Sequence, residues 1–522
     1  METKKLTLLG KIVTFLVIVA LVAVPVYLMG GFNSIVTGVN KDNESNSDKN
    51  FNNTKNYNND KKKPQNTDTI NLSLDEWIGW KSIIDANGGL ETKKDSIYDQ
   101  LGLKVKIFII NDATQSSNAL IKGDLDASGY TVNRYAFLNE KFKASGVNVV
   151  MPYITNSSTG GDGIIAKQEI NSVEDLVGKK IGVPRFSEAQ TLVEWLLDKS
   201  SLTEEQTEQI RKDMVLFETP DDAAKAFFSG NLDAAATWQP YLSQAQQTTG
   251  ARVLFSTKAA TNIILDGIVF RQDFIDKNKD TVQRFIEGSL SAQSLYKTEF
   301  RAIKDSMPLF TIESDDTIIA MTDDATLSNS SSNKELLNGI AQNLFRDMSN
   351  IWLKLGEKAN PEDADKAFDS SFIASMDNST STQQVQTPKF SEEQRQMAKN
   401  QDNMQALLKT TLTIKFEPNL AVIRNESYTA LNEFAQIAKI LNGAIIQIEG
   451  NVANVGKPDP EVEKKLSSER AKAVATYLQV QGVDPSRFVV LGNGITKQIG
   501  DNNTKEGQES NRRTDIFFKL VE

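Results

Sequence analysis

A chain of 522 residues with 39% apolar side chains can bury two or three separate cores, and a net charge of −10 leaves no basic stripe for a nucleic-acid partner. It contains no Cys and no His, which excludes thiol nucleophiles, Ser-His-Asp and Cys-His couples and Cys/His zinc sites. Carboxylate acids, Lys nucleophiles and oxygen-liganded Ca²⁺ or Mg²⁺ stay open. No carboxylate pair stands at a telling spacing, so the expectation is a binding protein rather than an enzyme, with no cofactor.

Residues 1–11 carry Lys4, Lys5 and Lys11 and lead into the apolar run IVTFLVIVALVAVPVYLM. That run is long enough to cross a bilayer, and the lysines favour a cytoplasmic N-terminus. The expectation is a single-pass anchor over 12–30 with everything after it outside the cytoplasm; a cleaved signal peptide is the alternative. Residues 31–68 are almost wholly polar and read as a disordered tether. A second polar stretch over 377–406, its later half compatible with a helix, separates a body at 69–376 from a tail at 407–522.

In the body, short apolar runs at 69–74, 105–110, 164–166, 181–183 and 234–237 alternate with helical patterns such as 190–197, as in an α/β fold with parallel strands. One internal echo predicts two related lobes: IKGDLDASGYTVNRY (121–135) and FSGNLDAAATWQPY (228–241) share helix, G-[DN]-L-D-A, strand and aromatic loop. Trp77 and Trp80 follow the first strand and could wall a cleft or fill a core. Tyr130 and Thr131 occupy the places that Thr237 and Trp238 take in the second echo. Ser187 is a natural cap for the helix after 181–183, whose free N–H groups suit an anion, and Arg185 adds a positive charge beside Glu188. Asp266 is either a ligand contact or a turn former.

EWIGW (76–80), GDLDA (123–127), GGDGIIAKQEINSVEDLVGKKIGVP (160–184), AAKAFFSGNLDAAATWQPYLSQA (223–245) and LDGIVFRQDF (265–274) together resemble the nitrate, sulfonate, taurine and thiamine-precursor group of ABC-transporter periplasmic binding proteins. The resemblance implies a two-lobed periplasmic-binding-protein-like fold of the second type. It also implies crossings near 160–163 and 256–262, a small polar or anionic solute between the lobes, and delivery to an ABC permease.

The tail reads β-α-β-α-β-β. With KFEP (415–418), KKLSSERAKAVATYLQVQGVDPSRFVVLGNG (464–494) and DNNTKEGQESNRR (501–513), it is similar to the OmpA-like family of the peptidoglycan-binding type. Strands are expected over 411–418, 444–450, 487–494 and 514–520, with helices over 426–441 and 461–480. The resemblance makes Arg470 the stem-carboxylate partner and places Asn451 where the family has His. Ala453 stands in place of the family's Asp, so peptidoglycan binding is expected to be weakened. The whole is an α/β body plus an α+β tail behind one transmembrane helix, located at the cell membrane. A structural or sensory envelope protein that no longer serves transport is the alternative.

Overall fold

The computed structural model describes residues 67–374, 376, 389–400, 408–417, 419–456 and 458–519. The expected anchor and nearly all of the tether lie outside the described residues, and among the described residues no helix is long and apolar enough to cross a membrane. All described residues fall in one compact unit, Lys62–Glu522.

Lobe one opens with β1 (Thr69–Leu74), β2 (Lys104–Ile109), β3 (Ala127–Thr131) and β4 (Val149–Ser158). The chain then crosses to build lobe two from β5 (Asp162–Lys167), β6 (Ile181–Pro184), β7 (Met214–Phe217), β8 (Ala234–Trp238) and β9 (Ala251–Ser256). It returns with β10 (Leu265–Arg271) and β11 (Ala325–Leu327). The first sheet has the order β11-β4-β10-β3-β1-β2 and the second β7-β6-β8-β5-β9. Laid edge to edge, β2-β1-β3-β10-β4 matches β7-β6-β8-β5-β9. In each set three parallel strands meet one antiparallel strand that enters from the other lobe.

Sequence pattern explains these places. Edge strand β2 alternates exposed Lys104 and Lys106 with buried Val105 and Ile107, the two-residue period of a half-covered strand. Central β10 is buried at all seven positions. The echoed glycines end their helices in the left-handed region, Gly123 at φ 78° and Gly230 at φ 83°, where a residue with a Cβ is strained.

Helix α1 (Lys81–Asn87) packs within lobe one, and three more helices position the lobes against each other: α2 (Val132–Ala144), α3 (Glu188–Lys199) and α4 (Ala341–Lys354). Thr131 and Ser187 cap α2 and α3, accepting from the Arg134 and Gln190 amides. Trp352 of α4 is 1% exposed, donates to the Asn133 carbonyl at 3.2 Å and packs 4.9 Å from the Phe137 ring.

The tail follows α5 (Glu392–Asn400) with β12 (Leu408–Leu412), α6 (Tyr428–Ile440), β13 (Ile445–Asn451), α7 (Pro460–Val480), β14 (Phe488–Gly494), α8 (Lys505–Asn511) and β15 (Thr514–Lys519). Its sheet runs β12-β15-β13-β14, with β13 and β14 parallel. Asp459 caps α7 and Pro460 occupies its first turn, where a missing N–H costs nothing. The first strand ends at Leu412 instead of running on to 418; beyond it, Phe416 pairs with Ile423 in a separate bridge. Phe390 and Ala398 of the preceding stretch pack on Ile445 and Val489.

Trp352→Ala should destabilise the body by about 3–5 kcal/mol, because it empties a filled core site. Exposed Leu353→Ala should stay within about 0.5 kcal/mol of the parent. Urea unfolding followed by near-UV circular dichroism checks both.

Candidate functional site

The carboxyl ends of the parallel strands and the entry ends of β5 and β10 meet between the lobes. Each entering strand carries the same three residues at its start, Asp162-Gly163-Ile164 opening β5 and Asp266-Gly267-Ile268 following Leu265 in β10. Asp162 pairs with Trp238 at the end of β8, and Asp266 with Thr131 at the end of β3. The glycines permit this. A Cβ at Gly163 would stand 2.3 Å from the Phe255 carbonyl oxygen, and one at Gly267 would stand 2.7 Å from that of Tyr153. Each crossing therefore delivers one aspartate to the same place in its lobe.

Asp75 joins them from the end of β1, accepting from the Trp80 indole at 2.6 Å. Glu188, at the start of α3, pairs across the lobes with Arg134 of α2 at 2.9 Å. Beside it, Asn133 donates to the Thr191 hydroxyl at 3.0 Å, and Phe137 stacks on Phe186 with ring centroids 5.2 Å apart. Four carboxyl groups thus lie within reach of one another, and two of them, Glu188 and Asp75, act on the Arg134 guanidinium.

The electrostatics follow from burial. Asp266 is 4% exposed, and its carboxyl is held well above the usual range, first by desolvation and then by the charges of Asp75, Asp162 and Glu188. Desolvation, reinforced by Glu188, pushes Asp162 up to about 7 even though the Ser158 hydroxyl donates to it at 2.7 Å. Asp75 is raised, again chiefly by burial. Removing carboxylates from water and facing them towards each other both favour the neutral form.

The other expected contacts take varied places. Trp77 donates to Asn156 at 3.1 Å and lays its ring over the first crossing, where a Cβ at Gly161 would stand 2.5 Å from it. Trp80 is buried against Gly129. Tyr130 is buried with its hydroxyl 2.8 Å from that of Ser116, and burial raises it to about 12. Thr131 and Ser187 act as helix caps. Arg185 turns to Glu218 at the edge of lobe two, away from the carboxylate group. Thr237 donates to the Pro220 carbonyl at 3.1 Å, and the 37% exposed Trp238 to Asp221 at 2.9 Å. Asp75, Arg134 and Asp162 were not singled out from sequence. The repeated Asp-Gly-Ile, present in two of the quoted motifs, was the signal that could have paired Asp162 with Asp266.

In the tail, Arg470 donates to the Leu420 carbonyl at 3.1 Å with its guanidinium 5.0 Å over the Phe416 ring, and burial pulls its pKa down. Asn451 is buried in a polar network, donating to Asp515 and accepting from Asn493, each at 3.0 Å. Among the described residues no group of three or more Asp or Glu is arranged to hold a metal ion.

Residues 93–297 match the family described as NMT1/THI5 like, and residues 415–512 match the OmpA family. Outer membrane protein A of Bordetella avium is 33% identical over 101 residues, 19% of this chain and 51% of that protein. A binding protein of Brucella abortus is 25% identical over 193 residues, 36% of this chain and 56% of that one. The periplasmic aliphatic sulphonate binding protein SsuA of Escherichia coli superposes with a TM-score of 0.44 at 17% identity, covering 57% of this chain and 91% of its own. The chain spans about half the length of the curated relatives it matches. It therefore joins, in one polypeptide, an NMT1/THI5-like domain to a C-terminal OmpA domain.

Proposed function

We propose that this chain is an extracytoplasmic solute-binding protein whose lobes close on a small polar solute. In this reading residues 12–30 hold it at the membrane, an ABC permease receives the solute, and the tail associates with peptidoglycan. The observation that carries the reading is the convergence of Asp75, Asp266 and Arg134 from lobe one with Asp162 and Glu188 from lobe two. A site assembled from both lobes is complete only when they close. The match to the NMT1/THI5 like family supports it.

Charge favours a solute with a positive group, an amine or a zwitterion, over nitrate or a simple sulfonate. An anion entering the cleft meets four carboxylates and a guanidinium already neutralised by Glu188. An ammonium group instead offsets the mutual repulsion of Asp162 and Asp266.

A thermal-shift screen of the full chain against putrescine, lysine, taurine, methanesulfonate and nitrate tests this. A solute at a hundredfold excess over Kd stabilises by about 2.7 kcal/mol. Amines or zwitterions should raise the melting temperature and the two simple anions should not. A response to the anions alone overturns the charge argument but keeps solute binding. No response at all, with no small molecule retained in the native mass spectrum, overturns both.

For a solute that binds, Asp266→Asn should weaken affinity about thirtyfold, about 2 kcal/mol. Because a cation requires ionised partners and Asp162 titrates at about 7, affinity should rise between pH 6 and pH 8. Calorimetric titration at the two values reads the sign.

For the tail, sedimentation with purified sacculi should show weak binding that Arg470→Ala removes and Ala453→Asp strengthens. Binding unchanged in Arg470→Ala would exclude the expected pocket.

A further inference from the structure

The tail does not simply trail behind the body; it grips one of the two crossings about which the lobes must rotate. The turn after α6 packs on the segment between β9 and β10. The Gly443 amide donates to the Ala259 carbonyl at 3.0 Å. Asn442 holds Thr261 twice, accepting from its amide at 3.1 Å and donating to its hydroxyl at 2.6 Å, and Asn262 donates to the Lys439 carbonyl at 3.4 Å. Fit is tight enough that a Cβ at Gly443 would stand 2.0 Å from the Lys258 carbonyl oxygen and 2.9 Å from the Ala259 Cα. Gly443 is not among the glycines with positive φ, so the tail's own backbone does not require glycine there. The close approach to the body does.

The same tail also lies along lobe two, with β12 against α3. Helix α3 is the element through which lobe two reaches lobe one, by Glu188 to Arg134, Thr191 to Asn133 and Asp198 to Lys354. The tail thus holds a crossing and lies beside the bridging helix, in the state where the lobe-to-lobe contacts are made. Rotation of the lobes must be absorbed by backbone dihedrals in the crossings, and a crossing clamped by three hydrogen bonds that involve side chains and one between backbones cannot turn freely.

We infer that tail docking and lobe closure are linked: the tail, seated on Lys258–Asn262, favours the bridged state of the lobes, and releasing it favours the open state. By reciprocity, whatever closes the lobes tightens the seat of the tail, and whatever pulls the tail away opens the cleft. The inference concerns the solute-free chain and does not depend on which solute is bound.

The absence of native cysteine makes the test direct. Spin labels at Gln115→Cys in lobe one and Lys225→Cys in lobe two, both exposed, report the lobe-to-lobe distance in the full-length chain without solute. Gly443→Ala and, separately, Asn442→Ala unseat the tail. Hydrogen exchange at the Thr261 amide reports docking, and β13 amides confirm that the tail stays folded. We expect Thr261 protection to fall at least about tenfold and the distance distribution to shift to longer values in both variants. Faster exchange at Thr261 with an unchanged distance distribution overturns the linkage. Unchanged exchange in both variants overturns the docking itself.

Discussion

The Thr257 side chain ties the two chain crossings to each other. Fully buried, its hydroxyl accepts from the Gly160 amide at 2.9 Å, and lies 3.0 Å from the Ser158 hydroxyl and 3.2 Å from the Asp162 carbonyl. Ser158, Gly160 and Asp162 belong to the outward crossing and its first strand, Thr257 to the return. Next in sequence, Lys258 fills the space where a side chain at Gly160 would stand, 2.8 Å from that Cβ position and beside Asp324. Gly160 has φ 149°, so the knot needs glycine for conformation and for room. The place of Asp162, and with it the charge of the cleft, depends on this knot, as does the segment on which the tail is seated.

The cleft carries its own energetic tension. Burial and mutual repulsion hold Asp162 and Asp266 above the usual carboxylate range. Groups raised in this way contribute stability that is fully present below the usual carboxylate pKa and lost as pH rises, for Asp162 through about 7. Near neutrality the ligand-free site is therefore the less comfortable one, a common price of a site arranged for something else to fill.

Much of the architecture was legible because it rests on local rules. The Gly-Asp-Leu-Asp-Ala and Gly-Asn-Leu-Asp-Ala turns, the Asp459-Pro460 start of α7 and the alternation of β2 each follow from a few neighbouring residues. The first tail strand was read too far along the chain, since TLTIKFEP has a strand's composition throughout while pairing with β15 stops at Leu412. The cleft was harder to read. Arg185 looked like an anion partner because its own partner, Glu218, lies on the neighbouring strand β7 side, far off in sequence. Asp75, Asp162, Glu188 and Asp266 form a group only after two sheets have folded and met. Trp77 and Trp80 looked alike in sequence, and the turn between them sends one over the crossing and the other into the core.

The strand order has a consequence for how the chain is made. Lobe two is drawn from one unbroken stretch, β5 to β9, so its sheet can be completed as soon as that stretch exists. Lobe one has no such luxury, because β10 sits between β3 and β4 yet follows the whole of lobe two in the chain. Until β10 arrives, β3 and β4 have no shared partner, and their facing edges carry unpaired backbone donors and acceptors. Such long-range pairing is slow to form. The inner lobe is thus the natural first nucleus, and the unfinished first sheet is the part of the newborn chain most in need of shielding from its neighbours.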